Sequence, residues 1–146
     1  MVEPVTGRIH INDVGEVTWE EIDVGSAGAN YGWLGSEEPD NIVAPLFTCK
    51  HVDAAPAGSG PGGFFKSAAI AGGAFDPAAG PFPADYRGQY YFADVVNRFV
   101  GRLDAANGNA AFAFASLTGS PVDLRVAGDG ALLVLTRNGV TRITAP

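Results

Sequence analysis

Apolar and polar residues alternate in short runs along most of this chain, with a period of two and almost never 3.6. Residues 7–12 set Ile9 and Ile11 on one face and Arg8, His10 and Asn12 on the other, as a strand does. A turn is expected at Asp13-Val14-Gly15, then a strand over 18–24 that mixes Trp19, Ile22 and Val24 with Glu20, Glu21 and Asp23. Glu20 and Glu21 point to opposite faces of such a strand, so one of them faces inward or binds something. Residues 25–35 read as a loop carrying Asn30-Tyr31-Gly32-Trp33, 36–41 as polar and acidic, and 42–48 as a short strand broken by Pro45. Residues 52–63 are rich in Gly and Pro and read as a surface loop. A strand is expected over 68–75, where Gly72-Gly73 leaves little side chain and marks close approach of another backbone. Residues 76–88 form a turn-rich connector. Further strands are expected over 89–93, 98–103, 111–115, 122–127, 132–135 and 141–144, with Gly128-Asp129-Gly130 as a hairpin turn.

One pattern recurs. Residues 88–104 hold a strand, a tight connection at 94–97 and a second strand. Residues 7–23 align with them without a gap, Gly7 on Gly88, Asp13 on Asp94, Ile22 on Leu103 and Asp23 on Asp104. A weaker third copy starts at Gly130 and is two residues shorter in the middle. The offsets are 130 − 88 = 42 and 88 − 7 = 81, close to one and two units of a common repeat. Short strands repeating every 40–45 residues are the signature of β-propeller blades. The recurrence of Asp13 and Asp94 predicts a shared turn hydrogen bond, since Asp readily bonds nearby backbone amides. The chain therefore reads as all-β, a single domain over residues 1–146 made of about three four-stranded blades. Rings close with about four to eight blades. Three leave apolar faces open, so the expected partner is the missing half of the ring or a second copy.

Composition narrows the partners. With 20 Gly and 10 Pro in 146 residues the chain is too punctuated for a helical bundle. Its mean hydropathy of +0.12 excludes general disorder. A net charge of −7 repels phosphate backbones and anionic membranes, so nucleic acid is not an expected partner. No run approaches the roughly 18 apolar residues of a membrane span. The single Cys49 has no cysteine to pair with inside the chain, and Met1-Val2-Glu3-Pro4 lacks a signal peptide pattern.

Several motifs together resemble the soluble quinoprotein glucose/sorbosone dehydrogenases. They are Gly15, Glu20-Glu21-Ile22-Asp23, Asn30-Tyr31-Gly32-Trp33, Gly72-Gly73-Ala74-Phe75, Phe82-Pro83, Tyr86-Arg87-Gly88, Phe92-Ala93-Asp94, Pro121-Val122-Asp123-Leu124 and Gly128-Asp129-Gly130. The resemblance runs in order through nearly the whole chain. It implies a six-bladed β-propeller, of which this is the C-terminal half. It further implies oxidation of an aldose with pyrroloquinoline quinone (PQQ) and calcium, in the periplasm or outside the cell. By this resemblance the carbonyls of Gly15 and Glu16 match the positions that hold the catalytic calcium. The carboxylate of Glu21 and the carbonyl of Tyr31 match those that hold a structural calcium.

The quinone positions depart from the family. Where the resemblance calls for an Arg-x-Arg-Asp grip on the quinone carboxylates, the chain has Ser120, Pro121, Val122 and Asp123. An arginine fork has no substitute in Ser and Val. The family's lysine falls near Val96 and Asn97, which leaves Arg98, with a local shift, as the candidate cofactor cation. The family's histidine base and Arg-Asn-x-Gln run belong to the N-terminal half. No catalytic residue is therefore expected in this chain, and no turnover by it alone. Relatives with the Pro-Val-Asp-Leu version occur in large secreted multidomain proteins, which implies a non-catalytic carbohydrate- or protein-binding role as the alternative.

The remaining residues read more simply. Trp19, Trp33, Phe75 and Phe92 are expected to pack between blades. Cys49, His51 and Asp53 share a strand face, but one short strand supplies poor tetrahedral geometry for a metal. His51 also matches a histidine in the relatives' loop, which implies a sugar or cofactor contact there.

Overall fold

The computed structural model describes residues 1–32, 43–51, 69–77 and 79–145. Among them ten strands form three antiparallel sheets. The first sheet holds β1 (His10–Val14), β2 (Trp19–Val24) and β3 (Phe47–Lys50) in that order. The second holds β4 (Ile70–Phe75), β5 (Tyr90–Asp94), β6 (Phe99–Asp104) and β7 (Ala110–Ser116). The third holds β8 (Pro121–Val126), β9 (Leu132–Thr136) and β10 (Gly139–Ile143). Two single 3₁₀ turns, Ala84–Tyr86 and Ala105–Asn107, are the helical elements among the described residues.

The sheets stack face to face in chain order. Pleating sends alternate residues of β5 to opposite sides. Tyr90 and Phe92 join Ile70, Leu103 and Ala111 against Ile22, Phe47 and Cys49 of the first sheet. Tyr91 and Ala93 join Ala74 and Val100 against Leu124, Leu132 and Val134 of the third. Every residue of β5 is buried, because a central strand of a central sheet has no solvent side. Phe92 is 0% and Tyr91 1% exposed. Each such side chain contributes about 1.5–3 kcal/mol of transfer free energy.

Three sequence expectations need correction. The first concerns the repeat. Copies two and three share one register: Tyr90 faces Leu103, and Leu132 faces Ile143. Their turns differ by the two residues that the sequence lacks, because Asp94 pairs with Phe99 and Thr136 with Gly139. Copy one does not share it. Val14 pairs with Glu20 and Asp13 lies inside β1 opposite Glu21, so the ungapped match of Asp13 to Asp94 is not structural. Only Asp94 caps its turn, its Oδ1 accepting from the amides of Val96 at 2.9 Å and Asn97 at 2.6 Å. The second concerns boundaries. β1 starts at His10 and runs through the expected turn, which moves to residues 15–18, and β3 starts only at Phe47. The third concerns strand number. Only the second sheet shows four strands among the described residues. In the first, Val2 bridges Ile9 and the Met1 carbonyl accepts from the His10 amide, so the first residues lie along β1 on the side away from β2. Trp33, Asp53, the 36–41 stretch and the 52–63 loop lie outside the described residues.

Candidate functional site

The three sheets meet along β4, which packs against both β1 and β8. The Gly72-Gly73 pair makes this possible. Gly72 has φ +61, and a Cβ there would sit 2.7 Å from the Asp123 Cα and 2.8 Å from the Leu124 nitrogen. A Cβ on Gly73 would sit 2.1 Å from the Tyr90 hydroxyl oxygen. The expected close backbone approach is therefore real, and it is β8 that approaches. On the other side the Asn12 amide donates to the Gly72 carbonyl, and the Tyr90 hydroxyl donates to Asn12 Oδ1 at 2.8 Å.

An open cleft of about 390 Å³ lies over this junction, with Asn12, Tyr90, Asp123 and Arg125 in its lining and His10 at its wall. Asp123 accepts from the Leu124 amide at 2.9 Å and pairs with Arg125 at 3.1 Å. Arg125 also donates to the Leu124 carbonyl at 3.0 Å. His10 packs edge-on against Phe75 at 4.9 Å, and burial lowers its pKa by disfavouring the charged ring. Amide, hydroxyl, carboxylate and guanidinium beside an aromatic ring suit a ligand bearing several hydroxyl groups.

The sequence-derived site residues lie outside this cleft. Gly15 and Glu16 stand in the β1–β2 turn, where a Cβ on Gly15 would collide with the Trp19 carbonyl oxygen at 1.9 Å. Glu21 lies on the outward face of the first sheet, in register with Asp13 and Thr48. Tyr31 follows the far end of β2. Its hydroxyl accepts from the Ser26 amide at 2.7 Å and donates to the Val24 carbonyl at 3.1 Å, while Asn30 Oδ1 accepts from the Gly32 amide at 2.8 Å. The six residues of β2, about 17 Å of strand, separate the Gly15-Glu16 turn from Tyr31. Arg98 is exposed in the β5–β6 turn with φ 58, its amide donating to the Asp94 carbonyl at 3.0 Å.

Calcium takes carboxylate and carbonyl oxygens, and those are the donors that Glu21, Tyr31, Gly15 and Glu16 offer. The quinone does not fit in the same sense. Its arginine positions hold a β8 strand whose Asp123 carboxylate already neutralises Arg125. Ser120 and Val122, which stand where the two arginines would, offer a tricarboxylate no fork of cations. Among the described residues no three His, Cys, Asp or Glu side chains converge on a metal position.

Sequence reasoning expected one of Glu20 and Glu21 to face inward or bind something, and it missed the buried Asp23 and Asp76. Glu20, not Glu21, is the inward one of the pair. It is fully buried, accepts from the Ile70 amide at 2.6 Å and bonds to Nε2 of His51, and burial raises its pKa. This bond places His51 between the first two sheets and not in the cleft. Asp23 and Asp76 are each almost fully buried, and neither carboxylate finds a hydrogen-bond partner among the described residues. Burial, with Asp13 nearby, pushes Asp23 up to about 6; burial likewise pushes Asp76 up to about 6, against the pull of Arg87. Phe75 and Phe92 do pack between sheets, whereas Trp19 faces outward under the Lys50 ammonium, 4.6 Å from its ring.

No family model and no curated protein sequence matches the chain. Solved structures do. A glucose dehydrogenase superposes with a TM-score of 0.76 at 19% identity, covering 99% of this chain and 43% of that one. A second glucose dehydrogenase gives 0.76 at 20% identity, covering 99% and 42%. The apo form of the soluble aldose sugar dehydrogenase from Escherichia coli gives 0.67 at 19% identity, covering 97% and 42%. The chain thus shares their fold throughout and spans less than half the length of each.

Proposed function

We propose that this chain forms three consecutive blades of a six-bladed sugar dehydrogenase-type propeller, acting in the periplasm or outside the cell. Within it the chain holds calcium but does not carry out the redox step alone. The observation that carries this reading is the superposition over 99% of the chain on a glucose dehydrogenase, with three sheets stacked in chain order. Calcium would be held by the Glu21 carboxylate and the Tyr31 carbonyl, with the Gly15 and Glu16 carbonyls as a second position. A bound quinone would accept hydride from a sugar in such an enzyme. This chain contributes neither a base nor an arginine grip to that step, since Ser120, Pro121, Val122 and Asp123 stand at the grip. Arg98 remains the candidate cation for a cofactor bound by a complete ring.

Isothermal titration of the chelator-stripped chain tests the calcium reading. Saturable heat, lost in Glu21→Gln, supports it; no heat in the parent chain overturns it. Dye reduction by this chain alone with glucose, PQQ and calcium would overturn the non-redox part.

A second reading, a carbohydrate-binding propeller segment without catalysis, is favoured by one observation. The cleft over Gly72 sets Asn12, Tyr90, Asp123 and Arg125 around a space of about 390 Å³. Sugar titrations followed by amide NMR should shift resonances of β1 and β8, and Asn12→Ala should abolish those shifts.

A further inference from the structure

We infer that Asp23 is a second carboxylate ligand of the calcium held at Glu21. The inference rests on the reading that Glu21 and Tyr31 bind calcium, and it adds a residue to that site.

Pleating puts Trp19, Glu21 and Asp23 on the outward face of the first sheet. On the same face β1 sets Asp13 opposite Glu21 and Ile11 opposite Asp23. Asp23 is only 1% exposed, and neither of its carboxylate oxygens finds a hydrogen-bond partner among the described residues. One carboxylate oxygen of Glu21 is buried as well. Asp13 lies close enough to act on Asp23 as a further negative charge. Lys50 shares this face but is drawn over the Trp19 ring, 4.6 Å away at the other end of β2.

An ionised carboxylate sealed from water needs a positive partner. A proton would remove the charge of Asp23 but would leave both oxygens without hydrogen-bond partners and Asp13 and Glu21 still charged. A hard divalent cation meets both needs at once.

The order of the residues fits one ion. Residues two apart on a strand face stand about 7 Å from each other. A calcium ion between Glu21 and Asp23 meets oxygens at about 2.4 Å on either side. Beyond Asp23 the chain turns back, and Tyr31 is anchored at the end of β2 by its hydroxyl, which donates to the Val24 carbonyl at 3.1 Å. Asp23 thus lies on β2 between Glu21 and the end that holds Tyr31. Asp13, across the hairpin, adds charge and not a ligand, in keeping with the lack of a third converging acid among the described residues.

Calorimetric titration of the chelator-stripped chain with calcium chloride tests this. Asp23→Asn should weaken calcium binding about tenfold or more, and Asp13→Asn about threefold or less. Melting curves give a second readout. At one calcium concentration the melting temperature should rise more in the parent than in Asp23→Asn, whereas a purely structural Asp23 would leave the two gains equal. Unchanged affinity in Asp23→Asn, equal gains, or equal losses for the two variants overturns the inference and leaves the calcium reading standing. Should Asp23→Asn not fold, the carboxyl carbon-13 resonances of the parent decide. Calcium should move that of Asp23 together with that of Glu21, and an unmoved Asp23 resonance overturns the inference. No calcium heat in the parent chain overturns the calcium reading and the inference with it.

Discussion

The buried carboxylate of Glu20 accepts a hydrogen bond from the Ile70 amide, 2.6 Å away and 50 residues further along the chain. This bond ties β2 to the first residue of β4 and satisfies a donor that no ladder reaches. Glu20→Ala leaves that amide without its acceptor inside the core. The expected loss is about 2–4 kcal/mol, read as a lower urea midpoint at unchanged slope. Glu20→Gln keeps an acceptor oxygen and should lose less than half as much. Equal losses for both would show that the hydrogen bond to Ile70 is not what matters.

Asp76 gives the fold a pH dependence. Its carboxyl is raised to about 6 by burial, against 3.8 as the ordinary value. Between these values the folded chain holds a proton that the unfolded chain releases. Stability therefore falls as pH rises from about 4 to about 6, then levels. Two pKa units correspond to about 3 kcal/mol at most. Asp76→Asn should raise the melting temperature at about pH 7.5 and leave it unchanged near pH 4. A variant less stable than the parent at pH 7.5 would count against an unpaired buried acid.

Asp94 is fully buried and holds the β5–β6 turn through two backbone amides. Asp94→Ala should destabilise by about 2–3 kcal/mol. Hydrogen exchange should quicken at Val96 and Asn97 before it does in the strands. Asp13→Ala, at the position that only sequence equates with Asp94, should lose under about 1 kcal/mol.

Gly72 has no room for a side chain. Gly72→Ala adds a left-handed penalty to a contact with β8 backbone, which cannot rotate away. A loss of about 2–4 kcal/mol is expected. Gly128→Ala, where a Cβ meets nothing within 4 Å, is the control and should lose under about 1 kcal/mol. Comparable losses would refute the steric account.

The sequence was most legible where a pattern is local. Alternation found the hairpin of β5 and β6, and the third copy was placed correctly together with its two-residue deletion. The first copy misled because matching Gly7 to Gly88 fixes spacing, whereas strand pairing is fixed by which side chains are buried opposite each other. His10 and Asn12 face inward because Phe75, Tyr90 and Gly72 wait there, and the isoleucines beside them face out.

The sequence by itself determined the all-β class, the repeat shared by the second and third sheets, the need for glycine at 72 and 73, and the absence of arginine from 120–123. These follow from residue type and short-range order. Only the tertiary structure decided that Glu20 is the inward one of the pair, that His51 serves Glu20, and that the carboxylates of Asp23 and Asp76 find no hydrogen-bond partner among the described residues. Alternation puts neighbouring residues on opposite faces but does not say which face meets another sheet. That choice is made by residues 50 or more positions away.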